Sequence, residues 1–261
     1  MQQTNRPIGI RKIGSKMMNN FKLLTATALF SLLSACGGGG GGGGEATSGT
    51  AEGFWVGSSS TGYRVSLAVL ENAETWGVYT RNGLINGALY GTSNGTGNTF
   101  SSTGSDFNLL KWSVVNGSFT GTVVPKSTLN AVANTGTTVS LTYSTTYDSP
   151  ALLSTIAGTY TMNGVSASGT ASNVPMTIDA NGTVRVVGNG CSAAGTVLPR
   201  SSGKNIYNIN VTFTGTNCAL GNGGTASGIF VLDRTVTPNI ALTLALTPSK
   251  QDGFIGIGTK Q

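Results

Sequence analysis

The sequence predicts an all-β protein: two small antiparallel meander domains, each an up-and-down barrel or a sandwich, after a signal peptide and a flexible glycine tether. Three observations predict it. Apolar and polar residues alternate in short runs, as half-buried strands require. Gly, Asn and Asp interrupt these runs about every ten residues, the spacing of antiparallel hairpins. Charged residues are only 9% of the chain and long apolar helical stripes are missing, so Ser and Thr must supply much of the wetted surface.

The first domain is expected over 54–148. Tyr63 to Val69 alternates cleanly; Trp76 to Tyr79 follows a turn at Glu71 to Glu74; Arg81-Asn82-Gly83 then turns into Leu84 to Tyr90. Turns this short join only antiparallel neighbours. Phe119 to Val124 and Thr137 to Tyr143 are further strands, the first closed by Pro125, which has no N–H for a ladder. A short helix is expected over Ala151 to Ile156, capped by Ser149 with Pro150 at its first position, inside a linker at 149–157.

The second domain is expected over 158–261. Met176 to Ile178 and Thr183 to Val187 flank Asp179-Ala180-Asn181-Gly182, whose Asn-Gly pair supplies hairpin angles. With Gly158 to Met162, Ala193 to Leu198, Ile206 to Phe213, Ser227 to Leu232, Ile240 to Leu246 and Phe254 to Ile257, about eight strands follow one another, which suits a meander. Gly121 to Ser127 resembles Gly195 to Ser201 at a spacing of 74, and Gly53-Phe54-Trp55 resembles Gly158-Thr159-Tyr160 at a spacing of 105. Duplication and convergence of similar strands both account for this, since the register is not constant.

Residues 1–35 read as a lipoprotein-type signal peptide. From Met17 or Met18, either of which suits a start, a basic stretch ends at Lys22, an apolar run spans Leu23 to Leu33, and Leu33-Ser34-Ala35-Cys36 forms a lipobox. Small Ser34 and Ala35 give a peptidase access to the bond before Cys36, and the Cys36 thiol accepts diacylglycerol as a thioether. The apolar run is too short for the roughly 20 residues that span a bilayer. Buried acyl chains, at about 0.8 kcal/mol per methylene, would make the attachment lasting. Residues 36–53, with glycine at every position from Gly37 to Gly44, are expected as a tether of about 20–25 Å reach. Removing the leader takes away five bases and no acid. The remaining ten bases against nine acids lie scattered, without the clustered stripe that nucleic acid requires.

Cys191 and Cys218 remain as a pair, expected to form a disulfide in an oxidising compartment. The chain has no histidine, which removes Ser-His-Asp and Cys-His arrangements and every His-bearing zinc site. No cofactor, metal or catalytic residue is assigned. The carboxylates sit mostly in expected turns, with Asp106 the least turn-like and read as bonding its local backbone. Trp55, Trp76 and Tyr79, with Tyr63, Tyr90 and Trp112, could line a ligand pocket inside the first barrel, although core packing accounts for the same residues.

Lipobox, glycine tether and small β domains in this order resemble surface lipoproteins of Gram-negative bacteria, such as neisserial factor H-binding protein and transferrin-binding protein B. The resemblance is carried by residues 33–44. From Gly158 to Lys260, the Gly-Cys-Ser, Ser-Gly-Lys-Asn and Asp-Gly-Phe elements are similar to those of uncharacterised proteobacterial lipoproteins. Gly37, where inner-membrane retention favours Asp, implies the outer membrane by resemblance to enterobacterial lipoproteins.

The expectation is therefore a lipoprotein held in the bilayer by acylated Cys36, with a non-catalytic role in binding an unidentified protein or small ligand, or in surface display. A periplasm-facing structural part is the alternative, and a carboxylate-dependent hydrolase a third.

Overall fold

Sixteen strands, each paired only with antiparallel neighbours, form two closed eight-stranded barrels in the computed structural model, which describes residues 48–109, 113–188 and 190–261. The leader, Leu33, Ser34, Ala35, Cys36, the glycine run and Trp112 lie outside these residues. The first barrel comprises β1 (Gly53–Ser59), β2 (Arg64–Val69), β3 (Glu74–Arg81), β4 (Leu84–Thr96), β5 (Thr99–Asn108), β6 (Ser113–Val124), β7 (Thr128–Ala133) and β8 (Thr138–Tyr143). It closes by pairing of β8 with β1. The second comprises β9 (Gly158–Ser166), β10 (Gly169–Ile178), β11 (Thr183–Gly188), β12 (Cys191–Pro199), β13 (Tyr207–Thr214), β14 (Thr225–Asp233), β15 (Ile240–Leu246) and β16 (Gly253–Lys260), closed by β16 on β9. Closure satisfies both edges of each sheet, which decides between barrel and sandwich.

The turns follow their residues. Asn82 and Gly83, at φ 53° and 75°, join β3 to β4 as the two positive positions of a tight hairpin. In the β10–β11 turn only Gly182 is positive, at 81°. There Asp179 Oδ1 accepts the N–H groups of Asn181 and Thr183 instead.

Three expectations change. The tether does not extend to Gly53: Ser48 and Ala51 are buried, and Gly49 bridges Gly95 of β4, with Thr50 N–H donating to Gly95 O at 3.0 Å. The helix is shorter than Ala151 to Ile156 and starts elsewhere. A 3-10 turn covers Thr145–Asp148 and α1 covers Leu153–Ile156, with Leu152 as an N-cap that makes no side-chain bond. Pro150 instead pairs in extended form with Lys204, and Ala151 N–H donates to Gly203 O. The conformation before a helix is open to proline too, and here the neighbouring strand turn supplies the backbone partner. Finally, β1, β5 and β7 form where no strand was expected.

The openings of the two barrels are equivalent. Trp55 and Tyr160 are the third residues of β1 and β9, and each bonds the carbonyl four residues earlier, Trp55 Nε1 to Ala51 O and Tyr160 Oη to Ile156 O. The other shared fragment is not equivalent, because Gly121 lies in the sixth strand of its barrel and Gly195 in the fourth.

Each barrel has an apolar interior, and the cluster that fills the first continues across the seam to the outer wall of the second. Phe230 and Leu232 point into the second barrel, while their neighbours Ile229 and Val231 join a cluster with Phe54, Ala68, Trp76 and Val78 of the first. Leu242, Leu244 and Leu246 do the same from β15. Strands buried on both faces read as continuous apolar runs, and β15 is buried at every position after Ile240. The two barrels thus lie side by side within one unit, Gly44–Gln261, and their cores draw on no described residue before Ala51.

Candidate functional site

Outer faces of β1 to β5 meet outer faces of β14 to β16 along the seam, and charged groups clamp it. Glu71, in the turn after β2, takes Arg200 from the β12–β13 turn at 2.9 Å from Nη2 and 3.2 Å from Nε. The Arg200 side chain is only 10% exposed, so this two-pronged pair works in a largely dry setting. Asp148, between the barrels in sequence, accepts Lys126 of the first barrel at 2.9 Å, Lys204 of the second at 2.7 Å, and Tyr143 Oη at 3.1 Å. Burial pushes its carboxyl up, but bonds from Lys204, Lys126 and Tyr143 outweigh that and hold it at about 2.

Two clefts open on the seam. The smaller, about 170 Å³, is lined by Trp76, Ala88, Tyr90 and Phe107 from the first barrel and Leu244, Leu246 and Phe254 from the second. Tyr90 Oη donates to Glu74 at 3.0 Å, and burial followed by the Glu74 charge pushes it up to about 12. Lys250 Nζ stands 4.7 Å from the Tyr90 ring centre and 5.7 Å from that of Trp76, a cation–π position. The larger cleft, about 420 Å³, has Phe54, Val78, Val231, Leu242 and Ile257 among its lining, with Arg64, Arg81 and Asp233 at its borders.

The aromatic residues singled out by sequence do not gather in one pocket. Trp55 is fully buried, edge-on to Tyr143 at 5.2 Å, with its N–H bonded to Ala51; it is a core side chain. Trp76 lies on the outer wall of the barrel and not inside it, because register pairs Tyr79, not Trp76, with inward Val65. It is covered by the second barrel, and its Nε1 is buried without a partner among the described residues. Tyr79 points inward, over Gly87, where any Cβ would collide with its hydroxyl.

Tyr79 Oη donates to Asp106 at 2.8 Å. Asp106 therefore does not bond its local backbone as expected; it sits on β5, opposite Leu89, and faces inward. Burial raises its carboxyl above the usual range, and the Tyr79 bond only partly offsets this. Tyr63 stands edge-on to Tyr79 at 5.3 Å, and the Arg81 guanidinium covers Tyr63 at 4.5 Å. Sequence reasoning missed this stack and both clefts. Their signal was the two-faced apolar character of Trp76 to Val78, Ile229 to Leu232 and Ile240 to Leu246.

Cys191 and Cys218 form a disulfide. Among the described residues no three Cys, Asp or Glu side chains converge on a possible metal position.

No protein-family model and no curated protein matches the sequence. Among solved structures, a candidate outer membrane protein from Bacteroides fragilis is similar at 13% identity and TM-score 0.24, over 80% of this chain and 96% of that one. A protein of unknown function from Nostoc punctiforme, of the DUF3598 family, is similar at 10% identity and TM-score 0.29, over 81% and 97%. Likeness at this level transfers no function.

Proposed function

We propose that this chain is a lipoprotein, acylated on Cys36 and held on the outer membrane, whose paired barrels serve as a non-catalytic binding module. The observation that carries the proposal is the order of basic start, apolar run and Leu33-Ser34-Ala35-Cys36. The disulfide supports it, since such crosslinks persist in oxidising compartments. The disposition of acids supports a role without catalysis. Glu71 and Asp148 are engaged in ion pairs, Asp179 and Asp233 accept nearby N–H groups, and Asp106 faces a tyrosine. General acid–base hydrolysis of glycosides would ask for two carboxyl groups across a cleft.

Mass spectrometry of the native product tests the anchor: an amino-terminal diacylglyceryl cysteine is expected, and a bare terminus overturns it. Cys36→Ala should leave the leader uncut. Protease treatment of intact cells then reports the face, with cleavage indicating outward display and protection a periplasmic position.

A further inference from the structure

A binding module needs an occupant, and the chemistry of the larger seam cleft specifies one. We propose that this cleft takes a free anionic amphiphile, a medium-chain carboxylate, with its tail along the apolar floor and its headgroup against Arg64. The inference rests on the binding role proposed above and is independent of the lipid anchor.

The floor is built by both barrels: Phe54 and Val78 from one, Val231, Leu242 and Ile257 from the other. All five join the shared core or pack against it, so the floor is fixed before anything binds. Its volume of about 420 Å³ lies within the range of roughly 300–1,000 Å³ typical of small-molecule sites, whereas the smaller cleft falls below it.

The border carries a cation without a partner among the described residues: Arg64 lies on the outer face of β2, and no carboxylate there pairs with it or with Arg81. Arg81 borders the cleft through its backbone turn, but its guanidinium is turned to the other face of the strand, stacked on Tyr63 and donating from Nη2 to Thr61 O. The Arg64 guanidinium therefore keeps its N–H groups for a carboxylate. Asp233, the acid of the cleft, is engaged locally: its Oδ1 accepts Thr235 N–H at 2.9 Å and Thr235 Oγ1 at 2.6 Å. An unpaired guanidinium beside an engaged carboxylate favours an anionic head over a neutral or cationic one.

Residues 45–261, which contain both barrels and their whole described core, suit calorimetric titration with sodium octanoate, decanoate and dodecanoate below their micellar concentrations. Affinity should rise about fourfold per added methylene, as burial of each in an apolar channel implies. Decanoate should bind at least tenfold more tightly than decanol or decyltrimethylammonium. Arg64→Gln should weaken decanoate about tenfold and leave decanol unchanged. Ser66→Trp, which puts a ring into the cleft from its half-buried wall, should abolish binding while cooperative melting persists. Equal affinity for the three headgroups, no binding of decanoate, or decanoate binding that survives Ser66→Trp would each overturn the proposal. So would sedimentation with phosphatidylglycerol vesicles in a protein that ignores decanoate, because the anion would then be a bilayer surface. The titration needs no acyl group, so its failure leaves the anchor standing, and a bare amino terminus would leave the cleft standing.

Discussion

Removing the crosslink by Cys191→Ser with Cys218→Ser should lower the melting temperature by an amount the loop length sets. The bridge joins the first residue of β12 to the loop between β13 and β14, at a sequence separation of 27. The chain-entropy relation gives about 12 cal/mol/K for a loop of that size, or about 3.6 kcal/mol at 25 °C. In a fold of about 200 residues each kcal/mol moves the midpoint by about 2–4 °C, so the double variant should melt about 7–14 °C lower. Both cysteines are changed because a single free thiol would invite intermolecular bridges. The loop keeps other ties: Asn217 N–H to Gly190 O at 3.2 Å, Gly215 N–H to Asn222 Oδ1 at 3.0 Å, and Ser168 Oγ to Ala219 O at 2.7 Å. The folded barrel should therefore look the same by circular dichroism, and the loss should appear only in melting or urea titration. Wild-type protein treated with reductant should match the variant. A midpoint unchanged within about 2 °C would refute the reasoning, since it would mean the bridge does not restrict the unfolded chain.

Three further predictions concern charge. Glu71→Gln leaves the nearly buried Arg200 without its anion and should cost about 1–3 kcal/mol in urea denaturation; no measurable loss would remove the pair from the seam clamp. Asp106→Asn keeps an acceptor for Tyr79 and deletes a carboxylate that burial holds above its usual range. A raised folded-state value means the acid's stabilising contribution is complete below about pH 4 and is lost as pH rises. The variant should thus match wild type in acid and melt progressively higher towards pH 7, and a gap independent of pH would contradict the buried site. Asp148→Asn runs the other way: a carboxyl held at about 2 stabilises above about pH 4 and loses that contribution as pH falls towards 2. The variant should melt lower at pH 7, within about 1 kcal/mol per partly exposed pair, and should converge on wild type near pH 2.

How much was legible depended on how the strands were covered. Ile240–Leu246 is found as expected, because β-branched and leucine residues in a run between turn residues can be little else. The β5 segment Ser101-Ser102-Thr103-Gly104-Ser105 has no apolar alternation to read: its outward positions are hydroxyls and one of its inward positions is Gly104, against Gly91. Its strand character comes from its neighbours β4 and β6. Thr128–Ala133 alternates buried and exposed positions, but its inward Ala131 and Ala133 are small and its outward Val132 is apolar, which blurs the pattern in the sequence. The seam was written in the sequence but ambiguous there. Apolar residues on both faces of β3, β14 and β15 announce a second covering layer, and only the fold shows that each barrel covers the other. The Tyr79–Asp106 pair was beyond sequence, since the residues are 27 apart and their meeting depends on register across β4.

The clip at the amino-terminal edge has a mechanical consequence. Ser48 O and Gly95 N–H, then Thr50 N–H and Gly95 O, are each joined at 3.0 Å, and the Trp55 indole holds Ala51 from behind. Tension arriving along the backbone from the amino-terminal side would load these few contacts first. Strand β1 behind them is zipped to β2 on one side and β8 on the other and must be sheared against many bonds at once. Releasing Ser48 to Ala51 frees a stretch of at most roughly 13 Å in contour before strand β1 itself is drawn on.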